Sequence, residues 1–164
     1  NDVNALQAEG AIEVAVKHDV LVCLMHKKGN PKDMQDCPEY EDVVQEVLDF
    51  FDERVETCLS YGMDADNIIL DPGIGFGKTL GHNLQLLQHT ATFRQMGFPV
   101  LIGVSRKSMF QQLLNRSVDD RLAGSLAVVQ FTYLQGADYF RVHDVAETQD
   151  VLKTSRALIG DIND

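Results

Sequence analysis

Asp71-Pro72-Gly73-Ile74-Gly75-Phe76-Gly77-Lys78-Thr79 follows directly on the short apolar run Asn67-Ile68-Ile69-Leu70. The run reads as a buried strand. A carboxylate therefore stands at a strand's end, three glycines let the backbone turn tightly, and a lysine closes the loop. α/β proteins build sites this way: the strand holds the acid, and glycine backbone admits a flat or anionic ligand. Two common glycine-loop readings do not fit. A Walker loop needs four residues between its first glycine and Gly-Lys-Thr, whereas Gly73 and Gly77 are closer and Pro72 stands one earlier. A dinucleotide fingerprint needs Gly-x-Gly-x-x-Gly and an acidic ribose partner at the end of a suitable next strand, and neither is present.

Outward from this loop, similar apolar runs recur at Val20–Met25, Val100–Val104 and Tyr139–Val142. Helical patterns lie between them. Val44, Val47, Leu48, Phe51, Val55, Cys58 and Leu59 share one helical face that stops near Gly62. A second helix is expected from about His82 to Met96, ended by Gly97. A third carries Leu122, Leu126 and Val129, with Ala123, Gly124 and Ala127 small enough for close packing. A last helix opens at Asp144, with Glu147 placed for a capping box. Alternating helices and apolar strands predict a parallel sheet covered by helices. Periodicity leaves an open doubly wound sheet and a (β/α)8 barrel both possible. The strands end in His26, Asp71, Ser105-Arg106-Lys107 and His143-Asp144, and chemistry at the carboxyl ends of successive strands favours the barrel.

The 164 residues suffice for a single domain but for only about half of a barrel, which takes about 250 residues. The first residue is not Met, so a cut or processed chain is expected, with Asn1-Asp2 the tail of a preceding strand. A net charge of −11 argues against nucleic acid and anionic membranes as partners. No apolar run approaches membrane-spanning length. Cys23, Cys37 and Cys58 lack metal-ligand spacing and suggest a reducing, cytoplasmic setting, with Cys23 and Cys58 as buried thiols. Lys27, Lys28, Lys32, Lys78, Arg106, Lys107 and Arg141 all follow apolar strands. They form either a cationic mouth for an anionic small molecule or ordinary solvated loop charge.

Taken together, these motifs resemble the C-terminal half of the dihydropteroate synthases, over essentially all of the chain. The resemblance rests on Asn1-Asp2-Val3, on Leu24-Met25-His26-x-x-Gly29-x-Pro31 with Met34-Gln35, and on the loop from Asp71 to Lys78. It continues through Ser105-Arg106-Lys107-Ser108, Arg121-Leu122-Ala123-Gly124-Ser125 and Arg141-Val142-His143-Asp144. It implies a TIM (β/α)8 barrel, this chain running from the end of strand 4 to helix 8 as one pterin-binding segment. It also implies a transferase of folate biosynthesis that joins 6-hydroxymethyl-7,8-dihydropterin diphosphate to 4-aminobenzoate and releases pyrophosphate. Family members are usually dimers through the last helices.

The implied roles fall residue by residue. Asp71 accepts hydrogen bonds from the pterin's ring edge, and Asn1 reads the pterin alongside it. Met25 packs near the ring, while Gly75 and Phe76 shape the pocket. Lys107 stands between the two substrates, and Ser108 opens a helix whose N-terminus favours the aminobenzoate carboxylate. Arg141 and His143 hold the diphosphate; with Lys107 they are the catalytic set. Magnesium is implied for the parent enzyme, with no ligand in this chain.

Plainer roles stand beside these. Asp71 also suits a helix cap, Ser108 an N-cap, and Asp144 a capping turn. Lys78 reads as a solvated loop charge outside the site. Arg121 suits either a loop support or a subunit contact. A pterin-binding methyltransferase of related barrel fold is the enzymatic alternative, and a non-catalytic pterin-binding module the other. The chain alone is expected to be inactive, and to pair or aggregate because the strands' inward faces meet water.

Overall fold

Each apolar run becomes a strand, and three of the four strands are shorter than hydrophobicity alone predicts. In the computed structural model, which describes residues 1–29 and 38–160, β1 is Val22–Met25, β2 Ile68–Asp71, β3 Leu101–Ile102 and β4 Tyr139–Phe140. β1 pairs in parallel with β2 and β3 with β4, while a parallel bridge from Leu70 to Val100 joins the two pairs. A further parallel bridge from Asp2 to Leu24 sets the chain's start beside β1. The sheet order is thus the chain order, as a helix returning between successive parallel strands requires. Pro31, Lys32, Met34, Gln35 and Cys37 lie outside the described residues.

The helices are α1 (Ala11–His18), α2 (Val43–Ser60), α3 (Leu80–Gln88), α4 (Thr90–Arg94), α5 (Met109–Leu114), α6 (Leu122–Tyr133) and α7 (Val145–Leu158). Asp42 starts α2 by accepting hydrogen bonds from the Val44 and Gln45 amides. The helix buries Val43, Val47, Phe51, Val55 and Cys58, while Leu59, expected on that face, is exposed. The single helix expected from His82 to Met96 is two. At the break, the Thr90 hydroxyl bonds back to the Leu87 carbonyl at 2.9 Å and the His89 ring to Gln85 O at 2.8 Å. Side chains that capture the preceding turn's carbonyls in this way bend a helix.

In α6 the buried face is Ser125, Val129 and Thr132, not the expected Leu122 and Leu126, which are half-buried. Gly124 does pack closely: a Cβ there would lie 2.8 Å from Phe110 and 2.9 Å from Leu114. Ala123 and Ala127 are exposed instead. At the start of α7 the expected capping box is absent, because the Asp144 carboxylate is occupied by Arg106 rather than by helix amides.

Val22, Leu24, Ile68 and Leu70 face the core shared with Val47, Phe51, Leu86 and Phe93. Cys23, Ile69, Met25 and Asp71 alternate with them on the opposite face. These four are also buried, contrary to the expected exposure of an inward face. Arg141 reaches Asp71 on that face, 3.2 Å from its carboxylate. Exposed apolar side chains lie elsewhere, among them Val20 (44%) and Leu21 (51%) just before β1, Val14 of α1 and Phe131 of α6. Cys23 and Cys58 are free and buried as expected. Burial raises both thiols, Cys23 to about 12. None of the described helices is long and apolar enough to cross a membrane.

Candidate functional site

Asp71 closes β2 with its backbone still in the sheet, its carbonyl accepting from His26 N at 3.0 Å. Its side chain is almost fully buried. One carboxylate oxygen accepts from Gly73 N at 2.8 Å and the other from Arg141 Nη2 at 3.2 Å. No helix begins within reach, so the capping role is replaced by a turn bond and an ion pair. Burial pushes the carboxyl's pKa up, while the Gly73 amide, Arg141 and Lys107 pull it down. Met25, its register partner on β1, is buried on the same face.

Arg141 leaves β4 and reaches back across β3 to Asp71. The crossing requires Gly103, since a Cβ there would sit 2.6 Å from Arg141 Nη2. The guanidinium remains substantially exposed. His143, two residues on, is held by Ser105 at the end of β3: Ser105 Oγ accepts from His143 N at 3.2 Å and meets its Nδ1 at 2.9 Å.

Lys107 comes from the β3–α5 loop and donates to the Ile74 carbonyl in the glycine loop. Its Nζ stands 4.5 Å over the Phe76 ring, and Gly75 lets its stem approach, a Cβ at Gly75 falling 3.2 Å from Lys107 Cδ. Burial lowers Lys107 to about 8, with Asp71 opposing and Arg141 reinforcing the shift. Asp71, Gly75, Phe76, Lys107 and Arg141 are therefore brought together. Ser108 is exposed at the N-terminal end of α5, without a capping bond from its side chain. Asn1 lies beside β1 through Asp2, whose amide donates to Cys23 O at 3.1 Å; among the described residues no hydrogen bond ties Asn1 to Asp71.

Further residues support the site, and Asn83 among them carries no recognisable sequence signal. Asn83 on α3 accepts from Gly75 N at 2.7 Å and donates to Thr79 O at 2.8 Å. Arg121, left open by the sequence, is a loop support: it donates to Arg106 O at 2.9 Å and to Gln111 Oε1 at 3.2 Å. Arg106 has φ 58, a left-handed conformation costly for a side-chain residue, and its amide is held by Ser125 Oγ at 3.1 Å. Lys78 is not a solvated charge; it is 3% exposed. The cationic mouth is also narrower than expected, because Lys28 pairs with Glu46 and Arg106 with Asp144. Arg106 and Asp144 are each pushed further toward their charged forms by that contact.

Fold and site together describe an α/β protein with buried, charged side chains converging at the carboxyl ends of parallel strands. Residues 1–143 match the family of pterin binding enzymes, and the chain belongs to that family. The dihydropteroate synthase of Haemophilus influenzae is 50% identical over 157 residues, covering 96% of this chain and 57% of the relative. A crystal structure of the Yersinia pestis dihydropteroate synthase with a sulfonamide drug complex superposes with a TM-score of 0.95 at 43% identity, covering 98% of this chain and 59% of that one. The Xanthomonas albilineans enzyme in complex with 7,8-dihydropteroate gives 0.90 at 40% identity, covering 96% and 58%. The chain therefore spans little more than half the length of the relatives it matches.

Proposed function

We propose that this chain forms the pterin and aminobenzoate side of a dihydropteroate synthase, which condenses 6-hydroxymethyl-7,8-dihydropterin diphosphate with 4-aminobenzoate. The observation carrying the reading is the buried Asp71 carboxylate, shared between Gly73 N–H and Arg141, with Lys107 and Phe76 beside it. A buried carboxylate suits the paired N–H donors of a pterin edge, since charge-assisted bonds are strong and unpaired buried donors costly. Asn1 and Met25 complete the pterin surface, and Gly75 leaves room for the ring system.

Arg141 exchanges partners in this scheme. Pterin donors compete for Asp71, and the exposed guanidinium turns to the diphosphate beside His143. Positive charge there stabilises the departing pyrophosphate as the methylene C–O bond breaks and the oxygen keeps the electron pair. The aminobenzoate nitrogen then forms the C–N bond and sheds a proton to solvent; no side chain is assigned as base. Lys107 bonds the pterin while its stem lies along the aminobenzoate ring, and Ser108 meets the carboxylate.

Magnesium is proposed for the parent enzyme only; among the described residues no three or more His, Cys, Asp or Glu converge to hold an ion, and no step is routed through it. The chain corresponds to the second half of a (β/α)8 barrel, a reading supported by parallel strands in chain order. A homodimer through α6 and α7 is supported by the exposed Phe131, Leu134 and Leu158, and a cytoplasmic setting by the free thiols of Cys23 and Cys58. The chain alone is proposed to lack condensing activity, consistent with an open groove of about 700 Å³ lined by Asn1, Val14, Val20 and Leu21. Titration calorimetry of the folded chain with the pterin diphosphate tests the assignment: binding that Asp71→Ala abolishes is expected, and binding indifferent to that change rejects it.

A further inference from the structure

Lys78 is the most deeply buried lysine among the described residues. Its Nζ lies 2.9 Å from His26 Nδ1, 3.1 Å from both Gly73 O and Phe76 O, and 3.4 Å from His26 O. Among the described residues no carboxylate comes within ion-pair distance of it. A buried ammonium without a counter-ion is costly, so its hydrogen bonds must offset that cost. Those acceptors belong to two different strand ends. His26 ends β1, while Gly73 and Phe76 lie in the glycine loop after β2. The two backbones touch directly: a Cβ at Gly73 would overlap the His26 carbonyl, and one at Gly77 the Lys28 backbone.

We propose that Lys78 is a positioning residue for pterin recognition, its ammonium cross-linking the end of β1 to the glycine loop. The loop so held presents Gly73 N–H to Asp71 and the Ile74 carbonyl to Lys107. The recognition step rests on the reading of Asp71 and Lys107 as pterin ligands; the cross-link does not. An ammonium has three protons and no lone pair, so His26 Nδ1 must be the acceptor and its proton must sit on Nε2. Burial and the cations Lys78 and Lys28 keep that ring neutral, its pKa lowered to about 3.

Burial also lowers Lys78 to about 7, with Asp71 of β2 opposing and Lys107 of the β3–α5 loop reinforcing. His26 from β1 and His82 from α3, lowered by burial and by Lys78, are the other titratable groups facing it. A neutral amine has one N–H fewer, so raising the pH above this range loosens the loop and weakens pterin binding.

The test compares the chain with Lys78→Met, which keeps the stem and removes the donors. Three readouts are taken: pterin affinity by calorimetry from pH 6 to 9, amide exchange at residues 73–77 without ligand, and the ¹⁵N resonances of His26. Pterin affinity is expected to fall at least about tenfold in Lys78→Met, the worth of one or two hydrogen bonds, and to lose the part of its pH decline near 7, while the part near 8, from Lys107, remains. Exchange should quicken by a similar factor, and His26 should titrate at higher pH. Unaltered affinity in the folded variant, or a decline between pH 6 and 7.5 as steep as in wild type, overturns the proposal; the decline nearer pH 8 belongs to Lys107 and remains in both. If wild type binds no pterin, the reading of Asp71 and Lys107 fails, and unchanged loop exchange in the variant would separately overturn the cross-link. If Lys78→Met does not fold, the wild-type His26 tautomer at pH 6, where Lys78 is an ammonium, decides: a proton on Nδ1 excludes the cross-link.

Discussion

The guanidinium of Arg141 at the end of β4 bonds the carboxylate of Asp71 at the end of β2, 3.2 Å away across β3 and 70 positions away in the chain. The pair is asymmetric: Asp71 is almost wholly buried, whereas the Arg141 side chain is 42% exposed. Losing the buried member leaves buried donors unmatched, whereas losing the other removes a partly solvated cation.

Asp71→Ala, in an enzyme carrying this segment, is therefore expected to weaken pterin binding by roughly 2–5 kcal/mol. Calorimetry with a pterin lacking the diphosphate reads this directly. Wild-type affinity in that variant would remove Asp71 from the site.

Arg141→Ala should weaken the diphosphate form of the pterin while leaving the unphosphorylated form nearly unchanged. Gly103→Ala should reproduce part of this effect, because its Cβ would displace the guanidinium. Equal loss for both ligands would mean that Arg141 serves only Asp71.

Lys107→Ala should weaken both substrates, since one side chain spans the Ile74 carbonyl and the Phe76 face. Competition binding with each substrate separately distinguishes this from a defect at one subsite. An effect confined to the pterin would place the aminobenzoate elsewhere.

His26 gives a pH dependence of stability. Its folded pKa, about 3, lies below the ordinary 6.5 because of burial and neighbouring lysines. Between those values the unfolded chain binds more protons, so stability is present above pH 6.5 and is lost as pH falls toward 3. The slope approaches about 1.4 kcal/mol per pH unit at most. Urea unfolding across this window should show a shallower acid loss for His26→Asn than for wild type; parallel curves would mean that His26 charges without penalty.

Gly124→Ala should destabilise the fold by about 1–3 kcal/mol through overpacking against Phe110 and Leu114. A lowered thermal midpoint with α-helical content retained is the expected signature. An unchanged midpoint would show that α5 yields freely.

Sequence by itself determined the strand–helix alternation, the strand-end position of Asp71, Lys107, Arg141 and His143, and the turns that only glycine takes readily. These follow from local patterns: apolar runs, periodic faces and glycine's freedom at positive φ. Tertiary structure decided which of the charged residues matter. Lys78 reads locally as one more loop lysine, yet it is buried because His26, 52 positions earlier, ends the neighbouring strand beside it. Asp144 reads as a helix cap, yet Arg106, 38 positions away, occupies its carboxylate. Arg121 leaves loop support and subunit contact both open in the sequence, yet with Ser125 it holds the left-handed Arg106. Local pattern sets whether a residue turns, pairs or packs; which partner a polar group meets depends on strand register and on how closely two loops approach, and those distances exist only once the chain is folded.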